Sequence, residues 1–563
     1  MTSNGAESSI DAPFFNLVDE PWVLVLDQDG QQQELSLSET FHRADEMLAL
    51  SGDIATQTFA ILRVLLAVLH RAVYGPEDVP RGTDNPADWR QTLKQVDEYL
   101  DAFHDRFWMQ HPTQPFMQVA DLATSAVADN DLSRIICDGP GASTFLTTRL
   151  GQSLTTIPWA QAARWLIHTQ AYDISGIHTG AVGDPRVKGG RGYGIGTGWV
   201  GQIGGVYAEG DSLRDTLLLN LIAPCGANLD GGPDDLPIWE RPALTQLPQG
   251  WLPGSADQPY RQPTGPVDVF TWASRRLRLS GTQWHATAVI NAQGDRLTPQ
   301  NRFQVEPFTA WRYSEPQTKK LGATAYMPLK HEPGRAFWRG LGSLLPQTQQ
   351  MGPQDKPVLR RPPAIIQWLS DRQFEGGLPQ GLIKLRSVGM AYGNMEAVYS
   401  ELVTDELVLP AVILDPSAVD LHDTVRQAVN CADKAVFAVV KLAENIAQAA
   451  GADPLLDGSA DKARAAAYAV LDQSFRRWIR SIRASSSIAD LRMAWHCEVR
   501  HQLEALGSEM TDAAGPPALV GRIVAKRHID AGLAMAWFRK QLRDAVPNAF
   551  MLVEDQTKEE EQP

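Results

Sequence analysis

Cysteine is scarce, with four in 563 residues, and Cys137, Cys225, Cys431 and Cys497 lie far apart. That spacing writes neither a disulfide framework nor a Cys-x-x-Cys zinc site. Positive charge is also short: 51 Lys+Arg face 66 Asp+Glu, a formal net charge of -15. This argues against a protein that coats nucleic acid indiscriminately, but not against local basic patches, because counterion release depends on the contacting face. Long apolar runs are missing too. The strongest, Phe59–Leu69, has eleven residues and is interrupted by Arg63, too short to span a bilayer. Met1–Pro13 is polar, with no basic or apolar region of a signal peptide. The expectation is a cytoplasmic protein without a membrane partner. Catalytic signatures are lacking as well. There is no G-x-x-x-x-G-K-[ST] and no G-x-S-x-G, and the H-x-E of His496–Glu498 has no P-C-x-x-C to complete it. His422-Asp423 is a lone dipeptide without further converging ligands, so no metal or cofactor is expected.

Glycine, by contrast, is concentrated. Twelve of the thirty residues from Gly176 to Gly205 are glycine, in GIHTGAVGDPRVKGGRGYGIGTGWVGQIGG, and Arg186, Lys188 and Arg191 there face one acid, Asp184. Glycine permits left-handed backbone and close approach to another surface, and the cations suit that surface to phosphate. Gly196–Gly201 matches G-x-G-x-x-G, but RGYGI before it and QIGGVYAEG after it supply neither the strand nor the helix of a dinucleotide site. Trp199 inside this run is a candidate for stacking on a base, or for packing the base of the loop.

Length gives two to four domains. Helices are expected over Ile54–Tyr74, Trp89–Phe107, Ile157–Thr169 and Ser212–Ile222, and a hairpin over Phe15–Leu37. Ala120–Gly141 reads as a mobile loop, and Gln367–Leu409 as alternating strand and loop. The C-terminal part carries four Ala-rich amphipathic segments, about Asp420–Ala450, Lys462–Ala484, Ile488–Ala505 and Ala518–Ala545. Short linkers between them predict an antiparallel four-helix bundle. The fold class is thus α+β: a mixed, irregular domain over 1–410, a bundle over 417–550 and an acidic disordered tail over 551–563. Arg476, Arg480 and Arg483, spaced i, i+4, i+7, predict one basic helix face, and Arg522 with Lys526 and Arg539 with Arg543 repeat the i, i+4 spacing. Each pair alone fits an ordinary solvated face; together they point to a polyanion.

Phe15-Asn-Leu-Val-Asp-Glu-Pro-Trp22, Pro115-Phe-Met-Gln118, the glycine run, Leu213-Arg-Asp-Thr-Leu-Leu-Leu-Asn220 and the helical C-terminus occur in that order. This ordered set resembles the CasA family, the large subunit of the type I-E CRISPR surveillance complex Cascade. The resemblance implies a non-catalytic subunit whose partners are double-stranded target DNA, the guide-RNA-containing Cascade subunits and the CRISPR helicase–nuclease. It implies recognition of the protospacer-adjacent motif, aid in duplex opening and recruitment of the nuclease. By position, the family's minor-groove glycine loop matches Gly176–Gly180, including His178 and Thr179. Its mobile loop and adjoining phenylalanine match Ala128–Phe145, placing a complex or RNA-handle contact at Phe145. Its wedge hairpin matches Tyr392–Ala397, with Asn394 and Met395 at the tip and Glu396 awkward beside phosphate. Lys319, Lys320 and Lys330 are candidates for the lysine that reaches the groove. Two alternatives stand beside this reading. One is a stand-alone metal-dependent enzyme using His178, Asp184 and Arg186; the other is a scaffold without DNA contact.

Overall fold

In the computed structural model, residues 12–75, 88–124, 131–137, 155–224, 226–249, 261–345, 357–375, 381–453 and 457–551 are described. Phe145, Cys225 and the acidic tail from 552 on lie outside them, as does most of Ala128–Phe145. The protein is mixed helix and sheet, with its sheets N-terminal and its long helices C-terminal. Contacts divide it into two units. The first comprises Met1–Arg335, Met351–Leu369 and Lys384–Glu406; the second comprises Ala336–Gln350, Ser370–Ile383 and Leu407–Pro563. No composition shift signals that residues 336–350 and 370–383 group with the helical unit.

The first unit is built around helix Ala55–Tyr74. By length and composition this helix could cross a bilayer, a wider span than the eleven residues of Phe59–Leu69, but most of it is buried inside the protein. Its interruption by charge is a core feature. Arg63 is buried with Glu306 in a two-bond pair at 2.9 and 2.8 Å, and Phe270 lies 4.8 Å from the guanidinium. Trp199 Nε1 donates to the same carboxylate at 2.6 Å, so Trp199 is a core residue and not a stacking platform. A buried pair of this kind repays its desolvation only through close, well-aligned contacts; here both terminal nitrogens of Arg63 bond Glu306, one also reaches Val269 O, and the Nε is left without a partner among the described residues.

Around this helix stand several small antiparallel sheets. The Phe15–Leu37 hairpin forms as strands Val23–Asp27 and Gln32–Leu35, with Met47–Leu50 on the other edge. Strands Arg275–Gly281 and His285–Gln293 pair antiparallel from Arg275–Gln293 to Gly281–Ala286, with Ile157–Pro158 added at the edge of the second strand. Helix Trp159–Tyr172 lies over that hairpin, buried along nearly its whole length. Gln367–Leu409 opens with helix Ala364–Phe374, which the strand-and-loop expectation missed. It continues as strand Leu382–Tyr392, paired with Gly205–Glu209 and sharing a sheet with Tyr399–Pro410.

In the second unit, helices Val419–Ala450, Ser459–Ser481, Ile488–Asp512 and Ala531–Ala545 pack together. Trp338 stacks on Phe475 at 4.4 Å, and Trp495 and Trp478 close the aromatic core. Ser487 and Asp530 cap the last two helices, each accepting a backbone N–H of the first turn. The fourth expected segment, Ala518–Ala545, is not one helix. Strands Arg522–Val524 and Arg527–Ile529 form a hairpin whose turn residues Ala525 and Lys526 both have positive φ, and Asp530 starts the helix only afterwards. The β-branched Ile523, Val524 and Ile529 suit strands, and the Gly521 left-handed φ breaks any helix before them.

Candidate nucleic-acid interface

The glycine run divides into two parts with different physics. From Gly198 onward the glycines serve close packing within the fold. A Cβ on Gly201 would overlap the Tyr392 hydroxyl, and one on Gly198 would overlap the Ala171 carbonyl. The part from Gly176 to Gly196 is the surface part. His178–Thr179 pairs antiparallel with Arg191–Gly192, and Gly180 N–H donates to Gly190 O at 2.9 Å. Lys188 and Arg191 exchange backbone hydrogen bonds at 3.1 Å around Gly189–Gly190, whose φ values of 58° and 72° give a tight primed turn. The result is a protruding hairpin with two exposed cations beside its tip.

Two of the expected DNA contacts face inward instead. His178 is only 6% exposed; its Nε2–H points at Asp173 Oδ2, 2.6 Å away, and its Nδ1 lies 3.0 Å from Gln293 Nε2. Arg186 is occupied by Asp184, Gly294 O and Gln293 O, fastening the hairpin to the strand beneath it. Both are local staples, recruited because a glycine-rich segment has few side chains of its own to hold it. Gly180 is likewise structural, since a Cβ there would come within 2.7 Å of Gly190 O. Gly176 is different, with only Ile174 Cδ1 at 3.4 Å, so a methyl fits.

Beneath the segment sits a buried cluster. Asp173 Oδ2 accepts from His178, from Arg275 Nε at 2.6 Å and from Asn291 Nδ2 at 3.2 Å. Burial by itself would raise the Asp173 carboxyl, but His178 and the Arg275 guanidinium, both bonded to it, outweigh that and hold it well below the usual range. Nearby, burial pushes His168 down to about 3; it is stacked on Tyr172 and bonded to Thr56 Oγ1.

The turn that follows strand Leu382–Tyr392 adjoins this surface from more than two hundred residues away. Ser175 N–H donates to Glu396 O at 2.8 Å, and Tyr392 Oη–H donates to Tyr172 O at 2.6 Å. At this tip Asn394–Glu396 is a single 3-10 turn; Met395 and Glu396 adopt left-handed φ of 52° and 56°. Two such consecutive non-glycine residues cost about 1–2 kcal/mol each, and the outcome is a Met395 side chain 81% exposed. Lys330 pairs with the Glu396 carboxylate at 2.8 Å and stands 5.5 Å from the Tyr392 ring, which offsets the charge that sequence reasoning found awkward. Lys319 pairs instead with Glu315 on the exposed helix Glu315–Leu321, which also carries Lys320. Of the three lysine candidates, Lys330 is the one bonded to the tip.

On the helical unit the expected three-arginine face does not form. Arg476 is held by Asp472 at 2.8 Å. Helix Ser459–Ser481 ends before Arg483, whose Nη1 turns back to the carbonyls of Arg480 and Ile482. Arg522 donates to Ala450 O, capping helix Val419–Ala450 where its dipole favours a cation, and Lys526 sits in the hairpin turn. The Arg539/Arg543 spacing does hold. These residues, with Arg500, His501, Lys540 and Phe550, line an open groove of about 760 Å³ in which Glu504 is the one acid among the described residues. The guanidiniums of Arg500 and Arg543 lie 4.0 and 5.1 Å from the Phe550 ring.

Among the described residues no group of three or more His, Cys, Asp or Glu is arranged to hold a metal. His422, of the lone His-Asp dipeptide, is buried against Ile413 O.

A family model described as CRISPR-associated protein Cse1 matches residues 16–506. The chain is 29% identical over 450 residues to the CRISPR-associated protein CasA/Cse1 of Thermus thermophilus, spanning 77% of this chain and 78% of that protein. The crystal structure of Thermobifida fusca Cse1 superposes with a TM-score of 0.85 at 38% identity, covering 96% of this chain and 100% of that one. A chain of a CRISPR RNA-guided surveillance complex shares the fold at a TM-score of 0.68 and 17% identity, over 94% of this chain and 100% of that one. Because the family model spans most of the sequence, the chain belongs to the CRISPR-associated Cse1 family, also called CasA.

Proposed function

We propose that this chain is a non-catalytic subunit of a CRISPR RNA-guided surveillance complex that recognises a short motif in double-stranded DNA and helps to open the duplex. The observation that carries this reading is the joining of the glycine segment to the Asn394–Met395 tip through Ser175 and Glu396. A small-residue segment fits a narrow minor groove, and an exposed methionine beside it fits between base pairs as a wedge. Lys188 and Arg191 on the neighbouring turn would neutralise phosphates on the flanking backbone, and Lys330 would keep Glu396 from repelling them. The basic groove at Arg539, Lys540 and Arg543 supports additional contacts to nucleic acid that are independent of sequence. By the same family reading, the subunit offers a docking platform to the helicase–nuclease.

The test uses the chain assembled with guide RNA and partner subunits. Wild type is expected to bind a motif-bearing duplex more tightly than a motif-scrambled one, and Gly176→Ala, which the fold accommodates, to lose that preference. Met395→Asp is expected to retain motif binding but to lose permanganate reactivity of thymines in the opened strand. Equal binding of the two duplexes by wild type would refute the reading.

A further inference from the structure

Arg275 and Gln293 are register partners across the Arg275–Gly281/His285–Gln293 ladder, and both are buried directly under the glycine segment. Between them they hold four of its carbonyls. Arg275 Nη2 donates to Ile174 O at 2.7 Å and to Gly196 O at 2.9 Å. Gln293 Nε2 donates to Gly176 O at 3.0 Å and to Gly192 O at 3.4 Å. The outer two carbonyls thus belong to the arginine and the inner two to the glutamine. The amide of Gln293 takes this orientation although its Oε1 is then buried without a hydrogen-bond partner among the described residues. Rotating it by half a turn would set that oxygen against the carbonyl oxygens. Asp173 fixes the arginine by accepting from its Nε.

A trans peptide directs its N–H opposite to its carbonyl. Drawing these carbonyls inward therefore turns the next N–H groups outward. The N–H of Ser175, after Ile174, reaches Glu396 O on the hairpin tip. The N–H groups of Ile177 and Tyr193, after Gly176 and Gly192, face away from Gln293, and neither has a partner among the described residues; both residues are exposed.

We propose that the Arg275–Gln293 pair is the positioning device of this interface. It locks the glycine segment so that Ser175 fastens the wedge tip, while the backbone donors of Ile177 and Tyr193 are presented to hydrogen-bond acceptors of a DNA duplex. The DNA half of this proposal rests on the function proposed above; the clasp does not. Neither residue touches DNA. They act through the backbone they hold.

Two full-length variants test it. Gln293→Met keeps the side-chain length and removes the donor; Arg275→Lys keeps the charge beside Asp173 but cannot span Ile174 and Gly196. Hydrogen exchange of the free chain is the first readout. In either variant the amides of Ser175, His178, Gly180 and Gly192 are expected to exchange at least about tenfold faster, as loss of one or two net hydrogen bonds implies, with helix Ala55–Tyr74 unchanged. Wild-type rates at those amides would overturn the clasp. If Gln293→Met fails to fold, Arg275→Lys carries the same measurement. Duplex binding by the assembled complex is the second readout. Affinity for the motif-bearing duplex is expected to fall about tenfold with the scrambled duplex unaffected, and DNA is expected to protect the Ile177 and Tyr193 amides in wild type. An equal loss on both duplexes, or no protection of those amides, would overturn the presentation of donors to DNA. Should wild type show no motif preference at all, the proposed function fails, while the exchange measurement still decides the clasp.

Discussion

At the scale of single residues, the same amino acid does opposite work in one stretch of chain. Gly189 and Gly190 supply left-handed φ for an exposed turn, whereas Gly201 lets the backbone pass beneath the Tyr392 hydroxyl. Gly201→Ala is accordingly expected to cost about 1–3 kcal/mol, the usual penalty of overpacking, because Tyr392 is also fixed by its bond to Tyr172 O. Urea denaturation of the two proteins measures it; Gly176→Ala, whose Cβ meets only Ile174 at van der Waals distance, is expected within about 0.5 kcal/mol of wild type. Composition alone could flag this run but could not separate its two halves, since the atoms that forbid a Cβ come from Ala171 and Tyr392. The same holds for His178 and Arg186. Their residue types suit a DNA contact, and only the positions of Asp173, Asp184 and Gln293 show that they are already engaged.

At the scale of elements, periodicity located most helices to within a few residues because their apolar faces are local in sequence. Helix Trp159–Tyr172 illustrates what periodicity leaves out: its buried face carries His168, which has a pH consequence. Burial lowers His168 to about 3, whereas the unfolded residue titrates near 6.5. The unfolded state therefore binds more protons below pH 6.5, so the stabilisation is complete above that pH and is lost as pH falls towards 3. Between pH 7 and 5 this one residue is expected to remove about 2 kcal/mol, at about 1.4 kcal/mol per pH unit. Asp235, pushed up to about 6 mainly by burial, gives a slope of the opposite sign. The informative quantity is therefore a difference: His168→Phe is expected to lose about 2 kcal/mol less than wild type over that interval, measured by denaturant titration at both pH values. The failed element is equally instructive. Arg522 and Lys526 have helical spacing, but the intervening β-branched residues and the turn at Ala525–Lys526 place them on a hairpin.

At the scale of the whole molecule, a net charge of -15 coexists with a basic turn and a basic groove. Binding to duplex DNA is therefore expected to weaken steeply with salt despite the acidic total. Lys188→Ala/Arg191→Ala is expected to flatten the log–log salt slope by about 2, roughly one per phosphate contact removed, in titrations at several salt concentrations; an unchanged slope would remove that turn from the interface. The sequence by itself determined the α+β class, the helical C-terminal region, the glycine segment and, through the order of weak motifs, the family. Each of these is written in local patterns or in their succession along the chain. Tertiary structure alone decided that residues near 175 and near 395 form one surface, that Lys330 and not Lys319 serves it, and that Arg275 and Gln293 hold it from beneath. Those relations join positions from about sixty to more than two hundred residues apart. Hydrogen bonding and packing across the folded unit bring such positions together, and no local pattern in the chain encodes those contacts.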